Sequence, residues 1–280
     1  MESFEKEVQV AVEAAREAST VILSVYSRDF DVDYKPGNEP VTEADKKANS
    51  ILVRRLSEAF PDDAIIAEET VPRDPDELHR RMTNRRVWFV DPIDGTWEFV
   101  AKNGEFAVMI GLAIDGRAHL GVVLRPTTGD VAVGVIDQGT WVVDSSGART
   151  TLRVSDVAEP SAGSLLMSRS HHSKRLQRVA RKTGAGKLVQ CGSVGVKCER
   201  IARGINDMYI LLPTRGGAKL WDTCAPEVLV RAAGGTATDV RGAPISYRAK
   251  TVALTGGLVA SNGTLHEVLL GAVEDIPTLT

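Results

Sequence analysis

Cysteine is scarce in this 280-residue chain. Cys191, Cys198 and Cys224 make an odd count of three, with no C-x-x-C spacing. That argues against a disulfide framework and against a zinc site. A dominant sign of charge is also lacking: 34 Lys and Arg stand against 37 Asp and Glu, a formal net charge of -3. Bulk attraction to polymeric nucleic acid or an anionic membrane is therefore not expected, though a local basic pocket is allowed. No apolar run approaches the roughly 20 residues that span a bilayer. The opening Met1-Glu2-Ser3-Phe4-Glu5 is acidic and lacks the basic and apolar regions of a secretory signal. These absences predict a cytoplasmic protein with reduced thiols. What is present, 43% hydrophobic and 25% charged residues, is an ordinary globular balance. The length allows one large domain or two moderate ones, with a well-buried core either way.

Periodicity changes along the chain. Phe4, Val8, Ala11, Ala15, Ile22 and Val25 recur at helical spacing over residues 4–26. A break at Pro36-Gly37-Asn38-Glu39-Pro40 precedes a second helix over 42–60, where Thr42 and Asp45 have the shape of a capping box. Residues 64–67 read as a short buried strand running into Glu68-Glu69, 71–86 as a polar loop, and 87–90 as a second buried strand. Strands at 107–114, 120–124, 131–136 and 141–143, separated by turn signals such as Asp115-Gly116, predict an antiparallel sheet. Strands and helices then alternate, with a basic helix at 173–182 and a helix at 223–233 opened by Asp222. There is no internal repeat. The order predicts layered α/β sandwiches in two halves, 1–155 and 156–280.

Four acidic clusters sit near element ends: Asp45, Glu68-Glu69, Asp91 with Asp94, and Asp222. Each has a bland reading. Asp45 completes a capping box, Glu68-Glu69 is a solvated pair, Asp91 and Asp94 are turn residues, and Asp222 is an N-cap. The run Asp91-Pro92-Ile93-Asp94-Gly95-Thr96 makes further demands. It sets two carboxylates at the end of a buried strand, which suits a hard divalent cation. It then offers a helix start, which suits a phosphate.

Taken together, a strand ending in Glu-Glu, a strand ending in Asp-Pro-Ile-Asp-Gly-Thr and a late Trp221-Asp222 resemble the lithium-sensitive, Mg²⁺-dependent phosphatases related to inositol monophosphatase. The resemblance covers essentially the whole chain. It implies the α-β-α-β-α sandwich of the inositol monophosphatase and fructose-1,6-bisphosphatase type. It also implies metal ligands at Glu68, Asp91, Asp94, Asp222 and the carbonyl of Ile93. Thr96 matches the residue that helps hold the attacking water, with Asp45 its acidic partner. Catalytic roles thus fall to Asp45, Glu68 and Thr96, while Gly95, Thr96 and Asp222 face the substrate. The implied cofactor is two or three Mg²⁺ ions, which neutralise the phosphate, activate water and stabilise the leaving alkoxide. Inhibition by Li⁺ is implied as well. An all-oxygen donor set without His suits Mg²⁺.

The flanks point to a substrate. Trp97-Glu98-Phe99 with Asn103-Gly104-Glu105-Phe106, Ser168-Arg169-Ser170-His171, Gly192-Ser193 and Trp221-Asp222-Thr223-Cys224-Ala225-Pro226-Glu227 look like the 3'(2'),5'-bisphosphate nucleotidase branch. That implies a small phosphorylated partner, adenosine 3',5'-bisphosphate, with Arg169, His171, Ser193, Lys197 and Lys219 as candidates for its second phosphate. A broad-specificity inositol monophosphatase is the alternative. Trp97 departs from the pattern, since many nucleotidases have Lys there, and so does Thr214-Arg215-Gly216-Gly217. Monomer and homodimer are both compatible with the sequence.

Overall fold

The computed structural model describes residues 3–35, 37–170, 173–214 and 217–275. The chain opens with α1 (Glu5–Tyr26), a hairpin of β1 (Val32–Lys35) and β2 (Glu39–Thr42), and α2 (Glu43–Ala59). Next come β3 (Ala64–Ala67), α3 (Pro75–Met82), β4 (Arg86–Asp94) and α4 (Thr96–Val100). The meander β5 (Ala107–Ile114), β6 (Arg117–Arg125), β7 (Asp130–Val135), β8 (Gly139–Val143) and β9 (Arg149–Leu152) completes one sheet. The remainder alternates: β10 (Ser164–Ser168), α5 (Lys174–Thr183), β11 (Lys187–Cys191), α6 (Val194–Ala202), β12 (Met208–Leu211) and α7 (Trp221–Ala232). It closes with β13 (Thr236–Thr238), β14 (Leu258–Ser261) and α8 (His266–Val273).

Two sheets result. The first has seven strands in the order β3-β4-β5-β6-β7-β8-β9, and the second five in the order β11-β10-β12-β14-β13. Within the first, β3 and β4 are parallel and the rest antiparallel. Helices α1 and α2 cover one face of the first sheet, α6 and α7 lie between the two sheets, and α5 and α8 cover the far face of the second. This is the expected α-β-α-β-α sandwich. The central strands are buried on both faces, which explains their near-continuous apolar runs. In β4, Val87 and Phe89 face the middle helices while Trp88 and Val90 face α1 and α2. A third apolar cluster joins α5 and α8 to the second sheet. The three cysteines are free and buried. No described helix is long and apolar enough to cross a membrane.

Several local expectations change. The stretch read as a polar loop contains α3, capped by Asp74, with Pro75 at its start, acidic residues in the first turn and Arg80 and Arg81 in the last. The strand read as 87–90 continues through the acidic motif to Asp94. Strands β9 and β13 are short and partly polar, so periodicity hid them. Helix α7 begins at Trp221 after the N-cap Leu220. Asp222 therefore lies inside the first turn and is not the N-cap. The capping box at Thr42 and Asp45 is present as expected.

Helix α7 lies unusually close to the first sheet. Gly111 pairs with Gly121 across β5 and β6, and Gly121 with Gly134 across β6 and β7. A Cβ on Gly111 would come within 2.6 Å of Cys224 Sγ, and one on Gly134 within 3.1 Å of Leu229 Cα. On Gly121 it would collide with the Ala225 carbonyl. The three glycines form a lane into which α7 settles.

Candidate active site

Strand β4 supplies the core of the site. Residues three apart in a regular strand face opposite sides of the sheet. Here the pairing shifts: Asp91 lies opposite Met109, but Asp94 lies opposite Ala107, so three steps on β4 match two on β5. Pro92, with no N–H to donate, falls in this bulge. The extra residue re-aims the chain, and Asp91 and Asp94 both line one cavity of roughly 610 Å³. That volume suits a small-molecule ligand. Gly95 then turns the chain at φ +94°, where a Cβ would also press to 3.0 Å from the Glu105 carbonyl. Only glycine makes this turn without strain, and it delivers Thr96 to the start of α4.

Because β3 runs parallel to β4 with Ala67 opposite Val90, Glu68 emerges beside Asp91 at the same sheet end. Asp222 arrives from the first turn of α7. Glu68, Asp91, Ile93, Asp94, Gly95, Thr96, Ser193, Lys197 and Asp222 all line the cavity. Asp45 stands just behind it. Its Oδ2 accepts from Thr42 N at 2.8 Å and Thr42 Oγ1 at 2.7 Å. Thr96 Oγ1 lies 3.3 Å from Asp45 Oδ1 and 3.1 Å from the Ile93 carbonyl, so its single proton is shared between them.

The electrostatics are those of crowded anions. Burial, then Glu68, Asp94 and Asp222, push the Asp91 carboxyl well above the usual range. Burial, then Asp94, does the same to Asp222. Loss of water raises Asp94 too, against the hydrogen bonds it accepts from Ser193 and Gly195. Desolvation lifts Glu68 to about 7 and Asp45 to about 6. Lys35 of the β1–β2 hairpin reaches Glu68 at 2.8 Å and Glu69 at 2.5 Å. Burial alone would lower its pKa, but the two carboxylates raise it.

As they stand, no three His, Cys, Asp or Glu side chains among the described residues close tightly enough to enclose an ion. Each carboxylate leans on a partner of its own: Glu68 on Lys35, Asp94 on Gly195 N at 2.7 Å, Asp222 on Lys219 N at 2.7 Å. Asp91 has none for Oδ1, which is buried without a hydrogen bond among the described residues. A buried carboxylate oxygen left bare amid mutually repelling anions calls for positive charge. The donors are all oxygen, so they fit a hard divalent cation.

The second half of the chain approaches from α6. Ser193 caps this helix, its Oγ accepting from Val196 N at 3.0 Å and donating to Asp94 Oδ2. Its φ of +55° is unusual for a non-glycine residue, the kind of backbone strain that collects at functional sites. One turn on, Lys197 is only 2% exposed. Its Nζ donates to the Cys191 carbonyl at 3.2 Å and lies 5.0 Å above the Tyr209 ring, and burial lowers its pKa. Lys219 also lines the cavity. Arg169 does not: Glu105 holds its guanidinium through two bonds of 2.7 and 2.8 Å. His171, Arg215 and Gly216 lie outside the described residues.

Three participants were missed as such in the sequence. Glu98 is buried at the cavity wall and accepts from Ser170 Oγ. Glu105 binds Arg169 and accepts from Gly192 N at 2.7 Å. Both lay in the flanking run, but nothing in it marked them as partners of residues far along the chain. Lys35 belongs to a hairpin read only as a break.

A sandwich of this layering, with acidic strand ends meeting a helix start in one cavity, defines a class. The chain belongs to the inositol monophosphatase family, whose model matches residues 4–278. Among curated relatives it is 33% identical over 249 residues to the 3'(2'),5'-bisphosphate nucleotidase CysQ of Escherichia coli (strain K12), covering 88% of this chain and 96% of that one. The solved structure of CysQ from Bacteroides thetaiotaomicron, 26% identical, superposes with a TM-score of 0.75 over 92% of this chain and 98% of that one. An IMPase from Thermotoga maritima, 22% identical, shares the fold with a TM-score of 0.80 over 96% of this chain and 97% of that one. The backbone therefore does not separate the two kinds of relative.

Proposed function

We propose that this protein is a Mg²⁺-dependent phosphomonoesterase that removes the 3'-phosphate of adenosine 3',5'-bisphosphate, leaving AMP. The carrying observation is the β4 bulge, which turns Asp91 and Asp94 into one cavity with Glu68 and Asp222. Glu68, Asp91, Asp94, Asp222 and the Ile93 carbonyl would hold the metal. When bound, Mg²⁺ neutralises the phosphate, makes water nucleophilic at neutral pH and stabilises the leaving oxygen. Thr96 Oγ1 orients the incoming water and relays its proton toward Asp45, whose Oδ1 lies 3.3 Å away. Gly95 and Thr96 face the scissile phosphate, and Ser193 and Lys197 the nucleotide's other phosphate. The substrate is drawn from the CysQ relatives and the flanking runs they share. Residues 1–155 would then carry most of the metal ligands and residues 156–280 most of the substrate contacts. Sensitivity to Li⁺ and a place in sulfur assimilation belong to the same reading.

One observation favours a second reading. The Arg169 guanidinium is engaged by Glu105 and is not turned to a second phosphate, which suits an inositol monophosphatase of broad specificity. Phosphate release with Mg²⁺ separates the two. Faster turnover of adenosine 3',5'-bisphosphate than of inositol 1-phosphate is expected, and the reverse order would overturn the nucleotidase assignment.

A further inference from the structure

Four large hydrophobic side chains are exposed among the described residues: Tyr34, Trp97, Leu188 and Ile205. Two of them meet at the cavity mouth. The rings of Tyr34 and Trp97 lie 6.5 Å apart, inclined at 51°. Trp97 lines the cavity beside Thr96 and Glu98, whereas Tyr34 does not. Trp97 stays 37% exposed and Tyr34 57%, so neither serves the core. The hairpin carrying Tyr34 is pinned at the next residue by Lys35, which reaches Glu68 and Glu69. The pair is thus held in place, and an indole is offered to solvent at the rim of the cavity that holds the acidic cluster. Flat aromatic surface beside a phosphate site is what a nucleobase stacks on.

Resting on the nucleotide reading above, we propose that Trp97, backed by Tyr34, is the stacking platform for the substrate's base. Trp97 then sets specificity for a nucleotide over a base-free phosphate ester, and Tyr34 is a positioning residue.

The molecule carries its own probe. Trp88, Trp141 and Trp221 are at most 8% exposed, so Trp97 is the tryptophan most open to iodide; Trp221 also lines the cavity, and Trp97→Leu separates the two signals. The full-length protein with saturating Mg²⁺ is titrated with AMP and, separately, with ribose 5-phosphate. AMP is expected to quench tryptophan emission and protect it from iodide, and ribose 5-phosphate to do neither. Trp97→Leu should remove the AMP signal and cut the preference for AMP over ribose 5-phosphate by on the order of tenfold, while Trp97→Phe retains most of that preference. Tyr34→Ala should weaken the preference less. Equal responses to both ligands, or a Trp97→Leu variant that loses affinity for both alike, would overturn the platform. Faster hydrolysis of inositol 1-phosphate with the AMP quench intact would sink the nucleotidase reading alone.

Discussion

Two buried aspartates, one in each half of the chain, are treated in opposite ways. Asp207, at the start of β12, is fully engaged. Its Oδ2 accepts from Ser164 N at 2.7 Å and Ser164 Oγ at 2.8 Å, and its Oδ1 from Ser155 Oγ. The Asn262 amide joins the same network through Ser155 Oγ at 3.1 Å. Asp91, at the bulge of β4, keeps one oxygen bare and feels four other carboxylates, Glu68, Asp94, Asp222 and Asp45. Neutral hydrogen-bond donors satisfy the first, whereas the second sits among anions and favours positive charge. A closed network holds the second sheet to its neighbouring loops. An open one marks where the chain expects something it does not itself contain.

The largest test of that contrast is to neutralise each aspartate. Asp91→Asn should lower Mg²⁺-dependent turnover on the order of a thousandfold or more, the weight of several kcal/mol of transition-state stabilisation. The same variant should raise the melting temperature of the metal-free protein, because it removes a repelled buried charge. Asp207→Asn should do the reverse, losing about 1–3 kcal/mol of stability through broken hydrogen bonds, while folded protein keeps its turnover. Denaturant melts and steady-state rates on both variants check the pair; like behaviour of the two would erase the distinction.

The pH dependence sharpens it. Burial pushes Asp45 up to about 6 and Glu68 up to about 7 in the metal-free folded protein, above ordinary carboxylate values near 4. Between about pH 4 and 7 the folded state therefore binds more protons than the unfolded state, and metal-free stability falls as pH rises through that window. Mg²⁺ favours the ionised forms and should flatten the fall. Melting curves across the window, with Mg²⁺ and with chelator, read this directly; parallel curves would contradict it.

Smaller effects probe the seam between the halves. Ser193→Ala removes the α6 cap and a hydrogen bond to Asp94, and should cost about 1 kcal/mol of stability. Turnover should fall about 10–100-fold as Asp94 loses its orientation. Arg169→Ala breaks a partly exposed ion pair and should cost at most about 1 kcal/mol. A large rise in KM for the bisphosphate alone would instead return Arg169 to the substrate.

How readily the sequence revealed the elements varied within each half. Helices with a clear apolar stripe, such as α1 and α2, and the antiparallel meander were legible, because burial on one face or both imposes a period. The acidic motif stood out as a carboxylate-bearing strand end, yet the strand running through it did not. Pro92 reads as a strand end, and a bulge leaves no periodic trace. Helix α3 was missed although Asp74-Pro75-Asp76-Glu77 spells a helix start, since its few apolar residues make a weak stripe. Ser193 and Lys197 were found through family likeness. That Lys197 is buried, that Glu105 claims Arg169 and that Lys35 reaches Glu68 depend on contacts across dozens of residues, which no local pattern encodes.

The glycine lane under α7 bears on how the site can be lost. A Cβ at Gly121 would strike the Ala225 carbonyl, and α7 would have to rise from the sheet. Asp222, in its first turn, would rise with it. A single methyl group, buried in the sheet beneath α7, would thus disarm an enzyme whose acidic residues were all still present. A survey of signature residues alone would score such a variant as intact.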